Sequence, residues 1–583
     1  MFMWRSIRVI AVGVLAALCV MGQTQEPAVK NEKTEAVANG AISGRVVNEN
    51  GQPLQGVFVQ ARAAGGSGPG QSTTSDREGE FRFTGLDRAA YVISAGMAAY
   101  TPAPRDPSAT PQPTYHVGDS VTLTLIKGGV VTGVVTNANG EPVVAVNVRV
   151  QMSRDGNGRR VATGFSREKP TDDRGVYRIY GLLPGTYVVS AGGPNAYGTS
   201  ERDAFDADVP TYAPSATRDT ATEISVRSGE EVSGVDIRYR GEQGRIVSGE
   251  VKTPPDTPLN VILSASGDGA VPWQTTAFSQ GGGNGSFMFN GIGDGEYQLL
   301  AMSFPRGGAR ELAAAVKKIV VRGADVTGIE LTTVPLATVS GRVMLEESKA
   351  PECSDKQRPS LNEILVSAWH NDNEAAKETP ATLWSIGAPV AADTDGNFVL
   401  RNLAGGDYYF ATRVTAKYWY LQSISFAPPA ASAAAKVAGK PVDATLVWTK
   451  VKMGERLSGL TVTVAQGAAS LRGQVVSAGQ QIPEKLFVYL VPSEQEKAVA
   501  VLRYYAAPVT PDGKIALHNI APGRYWVVAQ RFTEDVATPL TKLRLPDASE
   551  ARARLRREAE AAKTEIEFRP CQNVVDFQLP LQQ

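Results

Sequence analysis

The chain alternates apolar and polar residues in short runs punctuated by glycine, most clearly from Thr171 to Ala191, TDDRGVYRIYGLLPGTYVVSA. Tyr177 and Ile179 fall on one face and Arg178 on the other, the period of a half-buried strand. Asp173, Arg174 and Gly175 supply the turn before it, because Asp bonds its own backbone and glycine accepts positive φ. Pro184 and Gly185 supply the next turn, after which Tyr187, Val189 and Ala191 resume the alternation. The unit recurs five times: Gly79, Gly175, Gly285, Gly396 and Gly513 are followed, always twelve residues later, by Tyr91, Tyr187, Tyr297, Tyr408 and Tyr525. Successive turn glycines lie 96, 110, 111 and 117 residues apart, the size of single sandwich domains and too long for a solenoid repeat.

Around this centre each unit has the same plan. An opening strand carries one glycine between apolar residues, at Gly44, Gly133, Gly249, Gly341 and Gly473. A second apolar strand follows (VFVQA, VNVRV, VILSA, ILVSA, LFVYL), then a variable loop, the glycine turn and the tyrosine. Polar turns after Val117, Val226, Val321 and Val451 are expected to make a hairpin into a closing strand. Short strands evenly punctuated by turns predict an all-β chain, a tandem array of about five antiparallel Greek-key β-sandwiches with one C-terminal helix. The expected divisions are a signal peptide 1–22, a linker 23–40, and sandwiches at 41–126, 127–240, 241–334, 335–466 and 467–583. The helix is predicted over 547–566, with Asp547 and Glu550 as a capping pair and Ala551, Leu555, Ala559, Ala562 and Ile566 as a docking stripe. Its Arg552, Arg554, Arg556 and Arg557 read either as a basic patch or, with the interleaved glutamates, as a solvated face.

The repeated tyrosines read as corner residues, ring in the core and hydroxyl on nearby backbone, rather than as a sugar-stacking platform, because one offset is kept beside a turn in every unit. The pattern Gly44, then Asn50-Gly51-Gln52-Pro53-Leu54-Gln55-Gly56-Val57, Asp76, Gly79-Glu80-Phe81, Leu86 and Tyr91 resembles the carboxypeptidase regulatory-like domain, a transthyretin-like or Cna-B-like sandwich of the broader carbohydrate-binding-like fold group. The second unit is similar through Pro184-Gly185-Thr186-Tyr187. The first has Asp87-Arg88-Ala89-Ala90 in place of the Pro-Gly turn, the third and fourth have Asp294-Gly295 and Gly405-Gly406, and the fifth has Ile515 at the aromatic position. The resemblance implies a scaffold and transfers no catalytic residue.

Composition narrows the setting. With 58 Gly and 36 Pro the chain suits many turns, and 59 basic against 59 acidic residues leave no net charge to attract nucleic acid. Arg5 and Arg8 precede the apolar run Val9 to Met21, which matches a secretory signal cleaved near Gly22 and is too short to span a bilayer. A lipidated Cys19 is disfavoured by Leu18 before it. No transmembrane segment is expected after cleavage, and the compartment is extracellular or periplasmic. Cys353 and Cys571 then remain in an oxidising compartment, either bridged or as two inert thiols.

Candidate chemistry is sparse. His116, His370 and His518 are the only histidines and stand in different units, so no zinc set forms locally. Asp393-Thr394-Asp395-Gly396 begins like a calcium loop, but Ala404 replaces its final acid and a turn is expected. No catalytic residue, metal or cofactor is predicted. Trp273 and Phe278, Trp384, and Tyr418 with Trp419 are the candidate ligand contacts; an aromatic there either stacks on a sugar or covers the open end of a sandwich. The leading expectation is a non-catalytic secreted scaffold binding carbohydrate through variable loops or a cell-envelope protein. The alternatives are an accessory partner of a hydrolase and a spacer without a ligand.

Overall fold

The computed structural model describes residues 40–65, 70–104, 113–161, 165–194, 204–253, 258–266, 273–279, 285–303, 312–371, 389–427, 441–476, 481–532 and 539–581. The expected signal 1–22 and the linker up to residue 39 lie outside them. Among the described residues ten sheets form five two-sheet sandwiches, each around its own apolar cluster. In the second sandwich the opening strand Gly129–Thr136 pairs antiparallel with Val176–Leu182. The second strand, Asn147–Asp155, pairs antiparallel with the tyrosine strand Gly185–Ala191 in the facing sheet. Tyr177 and Ile179 from one sheet meet Tyr187 and Val189 from the other, all at most 1% exposed.

Two features depart from the local pattern. In every sandwich the closing strand runs parallel to the opening strand, as where Ser43–Val47 faces Ser120–Thr124, so one sheet of each pair is mixed. The polar turns before the closing strands are not hairpins. Ala313–Val321 and Val326–Thr332 lie in opposite sheets, as do Thr449–Val451 and Arg456–Gln466. The turn carries the chain across the sandwich, and a residue at positive φ makes the corner: Gly118, Gly229, Gly323, Gly454 and, in the fifth unit, Cys571 at φ 55°.

The turn before Val176 is held by Asp172 rather than Asp173: its Oδ1 accepts from the amides of Arg174 (3.0 Å) and Val176 (2.8 Å). Asp393 does the same for Asp395 and Asn397, so the calcium-like stretch is an Asx turn. Six residues after each turn glycine the strand bulges through a left-handed residue: Gly85, Gly181, Gly291, Asn402 and Asn519.

In the third, fourth and fifth units that bulge is also where a unit meets the one before it. A Cβ on Gly291 would lie 2.5 Å from the Asp206 carbonyl oxygen of the second unit. Asn402 Oδ1 accepts from the Leu312 amide of the third unit at 2.8 Å. Asn519 Nδ2 donates to the Val414, Ala416 and Trp419 carbonyls of the fourth at 2.7–3.0 Å. An apolar seam of Ile262, Leu300, Met302 and Ala314 with Leu336 and Ala404 adds to the joint between the third and fourth units. The chain also folds back: Arg88 of the first unit pairs with Glu363 of the fourth (3.6 Å), and His116 Nε2 lies 2.7 Å from Thr415 Oγ1.

The C-terminal helical segment is two helices, α1 (Pro539–Arg544) and α2 (Ser549–Ala562). The helix predicted to 566 stops at Ala562 because Lys563 turns left-handed, and Ile566 belongs to the strand Glu565–Phe568. Asp547 does not cap it; the N-cap is Ala548, with no side-chain bond. Leu543, Leu555 and Ala559 dock on Phe487, Tyr489 and Val491. Arg552, read as part of a solvated or basic face, is buried and donates from Nη1 to the Leu543 and Leu545 carbonyls at 2.8 Å, closing the C-terminus of α1. A disulfide joins Cys353 to Cys571, with Cα atoms 5.5 Å apart. No helix among the described residues is long and apolar enough to cross a membrane.

Candidate functional site

The five corner tyrosines share one geometry. Each hydroxyl donates to the carbonyl four residues earlier: Tyr91 to Asp87, Tyr187 to Leu183, Tyr297 to Gly293, Tyr408 to Ala404 and Tyr525 to Ala521, at 2.6–3.1 Å. Every ring is buried, and burial pushes each phenol above its ordinary value of 10.0. None offers a face to a ligand.

Among the described residues, the aromatics singled out as ligand contacts, Trp273, Tyr418 and Trp419, do not come together in a site. Trp273 is 5% exposed and sits edge-on to Tyr297, with ring centroids 5.7 Å apart. Trp419 is fully buried, its indole N–H donating to the Gln357 carbonyl at 3.0 Å. Both cover core, the blander of the two readings: Trp273 stands just before the strand Gln274–Ser279 and Trp419 is the first residue of Trp419–Phe426, each with its ring inward. Tyr418 is half-buried at φ 68°, ahead of the strand Trp419–Phe426, and its hydroxyl accepts from Asn573 of the fifth unit at 3.1 Å. The Lys356 ammonium of the same unit lies 5.2 Å from its ring centre, so the Asn573 bond is the contact that crosses the joint. The Phe278 side chain, Trp384 and the glycine run 281–283 lie outside the described residues.

A different aromatic set does come together, on the outer face of the fourth sandwich. In the sheet of Leu365–His370 and Gly406–Arg413, Trp369 stands directly opposite Tyr409, their rings 6.4 Å apart and 14° from parallel. On the other side of Tyr409 lies Trp448, 5.7 Å away at 80°. Tyr409 is thus enclosed, at 9% exposed, while Trp369 is 44% exposed. Trp369 is held in place: its N–H donates to Ser367 Oγ at 3.1 Å, and Ser367 donates to the Ala411 carbonyl at 3.3 Å. Asp407 and Lys450, opposed across the next row of the same face, flank the rings with polar groups. The alternation Val366-Ser367-Ala368-Trp369 and the adjacent Tyr408-Tyr409 carried this signal in the sequence, since one of two consecutive strand tyrosines must point outward.

Chemistry beyond contact is not assembled among the described residues: no three His, Cys, Asp or Glu side chains come together to hold a metal ion. His370 lies edge-on to the Tyr408 ring at 5.0 Å and over Gly406, where a Cβ would fall 2.0 Å from its Nε2. His116 belongs to the contact between the first and fourth units.

Comparison with known proteins bears on the first sandwich. Residues 41–124 match the carboxypeptidase regulatory-like domain. This domain holds Tyr91 and the Arg88 contact to the fourth unit. No curated protein matches the chain. Among solved structures, the Bacillus anthracis TIE protein is 12% identical with a TM-score of 0.14, the match covering 50% of this chain and 50% of that one. GBS52, the minor pilin of Streptococcus agalactiae, is 13% identical over 34% of this chain and 94% of its own, with a TM-score of 0.19. BcpA, the major pilin subunit of Bacillus cereus, is 11% identical over 51% and 99%, with a TM-score of 0.14. At these scores no property of those proteins passes to this chain.

Proposed function

We propose that the chain is an exported, non-catalytic scaffold of the cell envelope that presents a binding surface to carbohydrate or to another envelope protein. The observation that carries this reading is the interlocking of the units. Asn402, Asn519, the Arg88–Glu363 pair and the disulfide each tie one sandwich to another, so that the array behaves as a body and not as beads on a flexible string. Export is supported by the basic head and apolar run before Gly22 and by a bridge that persists in an oxidising compartment. Trp273 and Trp419 do not support sugar contact, because both are core.

Two measurements test the reading. Fractionation with N-terminal sequencing should find the mature chain in the envelope or medium, beginning near Gln23; an intact leader on cytoplasmic protein would overturn export. In calorimetry, Glu363→Ala in the fourth unit should lower the melting of the first unit as well. Melting of the first unit that ignores the substitution would contradict the interlocked body.

A further inference from the structure

We infer that the row Trp369–Tyr409–Trp448 is a binding site for an uncharged glycan, lying on a sheet face and not on the variable loops. The inference rests on the reading of the chain as a non-catalytic scaffold. It starts from a comparison of the five units. The residue after each corner tyrosine points away from the core, and its partner on the second strand is given by the register: Arg62 with Val92, Gln151 with Val188, Ser264 with Gln298, Trp369 with Tyr409 and Val491 with Trp526. Two aromatics meet in the fourth unit alone. In the fifth, the same face is covered by α1 and α2, with Val491 and Trp526 packed against the helices. In the fourth, Trp369 is left 44% exposed although it is rigidly held. A large exposed ring that is stacked and hydrogen-bonded in place is preorganised for contact, because little side-chain freedom remains to be lost on binding.

The chemistry of the face selects the ligand. The ring centres lie 6.4 and 5.7 Å apart in turn, so the two outer rings are at most about 12 Å apart, the reach of a disaccharide, with Trp369 as the exposed platform and Tyr409 as the ring that backs it. Aromatic faces are electron-rich and attract the weakly positive C–H groups of a pyranose ring. Asp407 accepts from sugar hydroxyls and Lys450 donates to them, and as an opposed pair they add no net charge. A nucleobase also stacks on aromatic rings but needs a basic groove for its phosphates. Here one lysine stands beside one aspartate, and the chain's net charge is zero.

The test uses the full mature chain, purified oxidised, and a panel of uncharged oligosaccharides of two to six sugars with an anionic polysaccharide as a control, followed by calorimetry and tryptophan fluorescence. At least one uncharged oligosaccharide should bind and change the fluorescence. Trp369→Ala should weaken it about tenfold, the equivalent of one lost stacking contact, and Trp369→Phe should restore most of the affinity. Because Trp369 lies on the outer face, Trp369→Ala should keep a cooperative melting transition, lowered only by the loss of its contacts with Tyr409 and Ser367, which separates lost binding from lost fold. Silence across the panel, or binding that ignores Trp369→Ala, would overturn the site while leaving the scaffold reading intact. Salt-sensitive binding of the anionic polymer alone would overturn the assignment to uncharged glycans. Shortened oligosaccharide on chromatography would instead sink the non-catalytic reading and leave the site standing.

Discussion

Cys571 occupies a backbone position where the four other units use glycine, and this makes the two halves of the disulfide unequal. Removing either cysteine opens a loop with a sequence separation of 218, for which chain entropy sets a ceiling of about 5 kcal/mol. Cys353→Ser loses the bridge and leaves a side chain at φ 55° on residue 571. Cys571→Gly loses the same bridge but relieves a left-handed strain of about 1–2 kcal/mol. Against that relief stands about 0.4–1 kcal/mol for the greater freedom of glycine in the unfolded chain. Cys571→Gly should therefore be the more stable of the two by about 1 kcal/mol, or about 4 °C in melting temperature for a unit of this size. Scanning calorimetry of both variants and of the reduced wild type would measure the gap. The reduced wild type should melt with Cys353→Ser and below Cys571→Gly. A Cys571→Gly protein that melts at or below Cys353→Ser would refute the argument, since the glycine corner would then confer no advantage.

Three further outcomes follow from the joints and corners. Tyr187→Phe should cost about 1 kcal/mol, the worth of its hydroxyl bond to Leu183, and Tyr187→Ala about 3–5 kcal/mol, read from chemical unfolding of the intact chain. Asn519→Ala removes a donor from three carbonyls and strains a left-handed site, for about 2–4 kcal/mol, whereas Asn519→Gly should recover the backbone part of that loss. Burial raises all five corner phenols, so each holds its proton more tightly folded than unfolded. Their stabilising effect is complete below 10.0, the ordinary phenol value, and is lost as pH climbs above it. Ultraviolet titration should show these tyrosines ionising only as the protein unfolds in alkali; early, reversible ionisation of all eighteen tyrosines would contradict their burial.

The sandwich repeat was legible because it is written in local periodicity: Tyr177 and Ile179 alternate with Arg178, and each tyrosine keeps its distance from a glycine. What escaped was whatever depends on partners remote in sequence. A polar turn such as Arg322-Gly323-Ala324 has the same residues whether it closes a hairpin or crosses to the facing sheet, and only the parallel pairing of the first and last strands separates the two. Trp273 stands just before a strand of mixed polarity and Trp369 lies within one. One points into the core and the other outward, a difference of one register step. Arg552 looked solvated among glutamates because nothing nearby in the chain reveals that the end of α1 lies beneath it. Parity leaves the two cysteines either bridged or as inert thiols, and the corner shared by Cys571 and the glycines emerges only when the backbone of all the units is compared.

The bulge joints have a consequence for how such a chain can change over generations. Repeats invite recombination, since a duplicated or exchanged unit carries its own core. Here the joints do not match one another: Gly291 fits only where the Asp206 backbone comes close, Asn402 seeks one amide, and Asn519 seeks three carbonyls. A unit moved to another place in the order would bring the wrong key to its neighbour, leaving either a clash of backbone or an amide without its acceptors. The repeat is interchangeable in its cores and individual at its seams, so drift in the loops is open to this lineage while reshuffling of the units is not.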